Sequence, residues 1–225
     1  MLQFNSALLA AVGSFTGDYA PYQSVHIRPH CGGVLLVASD HGKVTAVGFD
    51  RQDTADEALS IIPSTELLKS CAGIKTAERG ISIDGDTAIV TTYYKTSSNK
   101  GKELPIQRAV VPFPEIDGAL AACVQRWGST PKLSETAGRY RVAYLERAIK
   151  AANDASREHP CRVIVLASES NASTQEARLD AEIRVGGDAG ASEVIVLRAY
   201  GEAAADGESL VTGLLLPDAP VVAWW

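Results

Sequence analysis

Gly33-Val34-Leu35-Leu36-Val37 and Val44-Thr45-Ala46-Val47-Gly48-Phe49, parted by Asp40-His41-Gly42-Lys43, decide how the first part of this chain is read. Two short apolar runs around a Gly-bearing polar turn form a β-hairpin, because glycine tolerates the positive φ that a tight turn demands. A second hairpin follows in Ile81-Ser82-Ile83 and Thr87-Ala88-Ile89-Val90-Thr91-Thr92-Tyr93, turning at Asp84-Gly85. Between them, Leu59-Ser60-Ile61-Ile62 reads as a strand. Pro63-Ser64-Thr65-Glu66-Leu67-Leu68-Lys69 opens a helix capped by Ser64, with Leu67 and Leu68 turned inward. Upstream, residues 5–12 form a short helix capped at Asn5 or Ser6. Downstream, residues 95–102 make a basic, flexible loop, and Ile116 to Trp127 is a further helix.

Residues 128–138 are a connector bearing Gly, Ser, Thr and Pro, followed by an amphipathic helix with Val142, Leu145, Ile149 and Ala152 on one face. Beyond it the order is strand (162–167), strand (177–185), Gly-rich turn, strand (193–200), helix (209–216) and strand (221–225), which implies a small α/β sheet. The charge changes at the same place. Residues 1–150 hold sixteen Lys and Arg against fifteen Asp and Glu, whereas 151–225 hold five against twelve. The fold class expected is therefore α+β, an antiparallel sheet domain with short helices (1–138) followed by a small α/β sheet domain (139–225), with two surfaces of different charge.

Composition limits the function classes. The net charge is −6 and the pI about 5.3, which argues against a protein that coats nucleic acid, although the near-neutral first part leaves room for a local basic patch. Mean hydropathy near zero and no apolar run of spanning length exclude a membrane helix. Met1 to Ala10 lacks the basic start of a secretory leader. Cys31, Cys71, Cys123 and Cys161 are widely scattered, as buried thiols of a reducing compartment are, so the expected location is cytoplasmic.

No catalytic set is visible. His159 and Cys161 suggest a thiol with its base, but no third orienting group accompanies them, and a strand-entry turn explains them better. Gly186-Gly187-Asp188-Ala189-Gly190 lacks the Lys and Ser/Thr of a phosphate loop and runs into a strand, so it reads as a turn. His26 and His30 are four apart beside Cys31, a metal-ligand spacing that needs a helix, yet Pro29 and strand-like surroundings oppose one. The Asn171-Ala172-Ser173 sequon carries no weight in a cytosolic chain. No metal or cofactor is expected, and the chain is expected not to be an enzyme. Tyr200, Trp224 and Trp225 are candidate partner-binding residues, since large rings carry much of an interface's energy; core packing serves them equally well. The chain ends at the Trp pair inside an apolar strand, as either a truncated module or an interface would.

Residues 139–225 resemble the OpcA family of glucose-6-phosphate dehydrogenase assembly proteins. The likeness is carried by the run from Ala148 to Val165, by Arg184-Val185-Gly186-Gly187-Asp188-Ala189-Gly190-Ala191, and by Leu214-Leu215-Leu216-Pro217-Asp218-Ala219-Pro220-Val221-Val222-Ala223-Trp224-Trp225, in the family's order. That resemblance implies a cytosolic, non-catalytic partner of an oligomeric dehydrogenase. Residues 1–150 are similar to one domain of a bacterial or phage DNA sliding clamp, the β subunit of the replicative polymerase. Here the carriers are the first hairpin, Ile62-Pro63-Ser64-Thr65-Glu66-Leu67-Leu68, Ile81-Ser82-Ile83-Asp84-Gly85, Phe113-Pro114-Glu115-Ile116, and Arg141 to Ala148. A clamp ring needs six such domains, and this chain offers little more than one. On that resemblance Lys95, Lys100 and Lys102, with Lys69, Lys75 and Arg126, would meet DNA phosphates; the alternative is an ordinary solvated loop. The function expected is binding. The OpcA-like part docks on a protein such as glucose-6-phosphate dehydrogenase, and the clamp-like part serves as scaffold or second surface. The alternative is a phage-type replication accessory or inhibitor that binds DNA, a polymerase or a host nuclease.

Overall fold

The computed structural model describes residues 2–41, 45–50, 55–74, 76–115, 117–118, 147 and 150, and the backbone of 44, 161–167, 176–177, 179–185, 193–197 and 201–202. The chain opens with β1 (Leu2–Asn5) and α1 (Ser6–Gly13), then β2 (Val25–His30), β3 (Gly33–Asp40), β4 (Val44–Asp50) and β5 (Leu59–Ile62). After α2 (Thr65–Cys71) come β6 (Glu78–Asp84), β7 (Thr87–Tyr94), β8 (Ser97–Ser98), β9 (Lys102–Pro105) and β10 (Gln107–Arg108). The later strands are β11 (Cys161–Ala167), β12 (Glu176–Ala177), β13 (Leu179–Val185), β14 (Glu193–Leu197) and β15 (Gly201–Glu202). Among the described residues, antiparallel sheets with short helices make this an α+β protein, the class expected.

A six-stranded sheet runs in the order β10-β5-β2-β3-β4-β14. β3 is buried along its whole length, which is why its sequence is a continuous apolar run rather than an alternation. One face meets α1: a Cβ on Gly48 would lie 3.0 Å from Val12 and 3.4 Å from Leu8, so the bare glycine lets helix and sheet close up. The other face presents Leu35, Val37, Val47 and Phe49, all buried. The β2–β3 turn is a two-residue loop, Cys31 and Gly32, both at positive φ, matching the twist of its strands. Pro29 has no N–H to give a ladder, and it sits beyond the part of β2 that pairs with β5, where only β3 is alongside.

A second, five-stranded sheet is ordered β1-β6-β7, with β8 and β9 both on the far side of β7. Between the sheets lies α1, buried at every residue and apolar apart from Ser6, whose hydroxyl donates to the Cys71 carbonyl. Its cap is Asn5, whose side-chain oxygen accepts from the Ala7 N–H at 2.8 Å, while the Asn5 N–H donates to Asp50 Oδ2 at 2.7 Å. Ser64 caps α2 by accepting from the Leu67 N–H. At the other end of α2, Arg79 donates to the carbonyls of Ser70 and Ala72. Phe4, Leu8, Leu9, Phe15, Ile27 and Ile81 are among the largest buried side chains of this core.

One expectation is corrected. Residues 95–102 are not loop throughout: β8 pairs with the end of β7, the Asn99 N–H donates to Thr92 O at 3.0 Å, and Lys102 already belongs to β9. The Asn99 side chain completes the return by accepting from the Thr92 N–H at 2.8 Å. Of the strand expected over 177–185, Ala177 lies in β12, paired with β15, and Leu179–Val185 is β13, paired with β11. β14, drawn from the second part, adds to the edge of β4 with Ile195 opposite Val47. The helices expected at 116–127, 140–157 and 209–216, the 128–138 connector and the strand at 221–225 lie outside the described residues, apart from single positions.

Candidate functional site

The three lysines singled out in the sequence reach different surroundings. Lys95 and Lys100 are exposed on the return between β7 and β9, whereas Lys102 points across to α2. Its Nζ lies 3.0 Å from Glu66 Oε1 and 3.2 Å from Ser70 Oγ. An ion pair this exposed contributes about 0–1 kcal/mol, but it neutralises the charge locally. Lys69 is exposed on α2; Lys75 and Arg126 lie outside the described residues. Tyr93 and Tyr94, which the sequence reading did not single out, flank the lysines and are 51% and 46% exposed. Their adjacency to Lys95 was the available signal. Tyr200, Trp224 and Trp225, with His159 and the 186–190 turn, lie outside the described residues, and of Cys161 only the backbone, opening β11, is described.

Strand alternation puts His26, Arg28 and His30 on one face of β2. There Arg28 makes a bidentate pair with Asp117, Nη1 to Oδ2 at 2.7 Å and Nη2 to Oδ1 at 2.5 Å. The pairing with Arg28 holds the Asp117 carboxyl below the usual carboxylate range despite some opposing burial. His26 lies 2.9 Å through Nδ1 from Ser60 Oγ and stacks on Phe113 with ring centroids 5.7 Å apart and 9° between planes. Burial first, and the Arg28 charge second, lower its affinity for a proton. His30 meets Phe49 edge-on, and Cys31 is exposed in the turn. These residues thus stand on a strand and its turn, where a helical i, i+4 ligand pair cannot form. Among the described residues, no group of three or more His, Cys, Asp or Glu is placed to hold a metal ion. No helix among them is long and apolar enough to cross a membrane.

At the far end of β3 a chain of charges joins three segments. The ring nitrogens of His41 lie 2.5 Å from Asp40 Oδ1 and 3.0 Å from Asp18 Oδ1, with the Tyr19 ring 4.2 Å away. Arg147, from the stretch that links the two parts, donates to Asp40 Oδ2 at 2.6 Å. Sequence reading missed this anchor, since partners 107 residues apart carry no local pattern.

Residues 152–225 match the family model described as glucose-6-phosphate dehydrogenase subunit N-terminal domain. The OpcA resemblance holds over that segment. Among solved structures the chain is similar to the DNA polymerase III beta subunit of Thermotoga maritima, with 11% identity, 86% of this chain and 52% of that one covered, and a TM-score of 0.36. It is similar also to the sliding clamp of Bacillus subtilis, at 12% identity, 89% and 49% coverage and a TM-score of 0.38. A third is the proliferating cell nuclear antigen of Entamoeba histolytica, at 10% identity, 88% and 77% coverage and a TM-score of 0.35. The chain spans about half the length of the two bacterial clamps. No curated protein matches its sequence.

Proposed function

We propose that this chain acts by binding rather than by catalysis, through two modules at residues 1–138 and 139–225. The family match over 152–225 carries the reading. On it, the acidic second module docks on a protein partner, a glucose-6-phosphate dehydrogenase, with Tyr200, Trp224 and Trp225 in the contact. The first module is the scaffold, tied to the second by the β4–β14 ladder and by Arg147 on Asp40. A cytoplasmic location belongs to the same reading, supported by free thiols at Cys31 and Cys71. The test is native mass spectrometry of the full chain with the dehydrogenase. A complex that is weakened by the pair Trp224→Ala and Trp225→Ala is expected; no complex at micromolar concentrations of both would end the reading.

A second reading is supported by the exposed run Tyr93-Tyr94-Lys95 with Lys100, where rings for stacking adjoin charges for phosphate. It makes the first module a DNA-binding surface. The affinity of the full chain for a DNA duplex would then fall with salt, and Lys95→Gln with Lys100→Gln would flatten that slope by about two phosphate contacts. Unchanged binding in the double variant would remove it.

A further inference from the structure

We propose that the β2 face carrying His26, Arg28 and His30 is a phosphate-binding site, and that the chain's own Asp117 occupies it. Three side chains able to carry positive charge alternate along one strand and share a face. The central one presents its guanidinium fork to a carboxylate, the geometry by which arginine recognises carboxylate and phosphate alike. Asp117 is an incomplete occupant. Its two oxygens take Nη1 and Nη2, and the buried Arg28 Nε–H has no partner among the described residues. The Nε–H points from the neighbouring edge of the guanidinium, so a phosphate that replaces Asp117 can take the Nε–Nη edge instead, and it brings more charge to His26 and His30. The occupant is also displaceable. The Asp117 side chain is 47% exposed. The irregular stretch 109–115 that follows β10 carries Val110 at 95% exposure, and Phe113 is the side chain by which it packs against the core. The chain here meets β2 through Phe113 on His26 and Asp117 on Arg28. Glu115, which faces His26 and whose carboxylate accepts from the Asp117 N–H, would leave with it and remove a further negative charge.

The test titrates inorganic phosphate, and in parallel glycerol phosphate, into the isotope-labelled full chain at constant ionic strength in chloride. It follows the imidazole resonances of His26 and His30. Saturable shifts are expected, and tighter binding of glycerol phosphate would identify an esterified small molecule rather than free phosphate as the natural form. Asp117→Asn removes the competitor and should tighten apparent binding roughly tenfold, because the open site is then fully populated. Arg28→Lys keeps a charge but loses the fork and should abolish the shifts. Non-saturable shifts in wild type, or an Asp117→Asn variant no tighter than wild type, would overturn the proposal. Asp117 lies at the surface, so that variant decides the matter even if Arg28→Lys fails to fold.

Discussion

Single positions carry constraints that composition does not reveal. Gly33 begins β3 where a Cβ would fall 2.2 Å from the Asp50 carbonyl oxygen and 3.0 Å from the Phe49 ring. The backbone of β4 cannot yield as a side chain would, so Gly33→Ala should destabilise by about 1–3 kcal/mol, read as a lowered denaturation midpoint with unchanged slope. The two described cysteines should differ sharply in chemistry. Burial pushes the Cys71 thiol up to about 12, outweighing the opposing Arg79 charge, while Cys31 is exposed in its turn. Since the thiolate is the reactive form, brief alkylation of the native protein followed by peptide mapping should label Cys31 and spare Cys71. Equal labelling would show that the α2 end opens readily.

At the scale of elements, helix ends illustrate what local chemistry can announce. Ser64 was legible as a cap from residue type and position, and the first cap was narrowed to Asn5 or Ser6; in the structure Ser64 and Asn5 each accept from a first-turn N–H. Ser64→Ala should cost about 1 kcal/mol, and in a chain of this size that lowers the thermal midpoint by roughly 2–4 °C. Lys102→Ala should move it less, because its pair with Glu66 is exposed on both sides. A calorimetric scan of the two variants orders the effects. The C-terminal end of α2 was not legible, because its capping donor, Arg79, comes from β6. The return at 95–102 was misread for a related reason. Its Lys, Ser, Asn and Gly residues look like solvated loop, yet the Asn99 side chain and a two-residue pairing tie it back to β7.

For the whole molecule, acidity should act through the β2 face. His26 binds a proton less readily folded than unfolded, so its contribution to stability is present above about pH 6.5 and is lost as pH falls below it. Asp117 is held low by Arg28, so its contribution is present above pH 3.8 and disappears as pH falls through its folded value. Wild type should therefore lose thermal stability between pH 7 and 5.5, and His26→Phe, which keeps a ring against Phe113, should lose less over that interval. Parallel pH profiles of the two would contradict this. The class of fold, the two hairpins, the helix starts and the division of charge were determined by the sequence alone, because hydrophobic period, turn residues and caps act over a few neighbours. The OpcA-like segment was legible too, since its motifs are contiguous. What only the tertiary structure decided are the pairings between distant segments: β14 on β4, Arg147 on Asp40, and Asp117 on Arg28. An unpaired strand edge or a lone charge accepts many partners of the same chemistry, and only the folded path of the chain brings one of them within bonding distance.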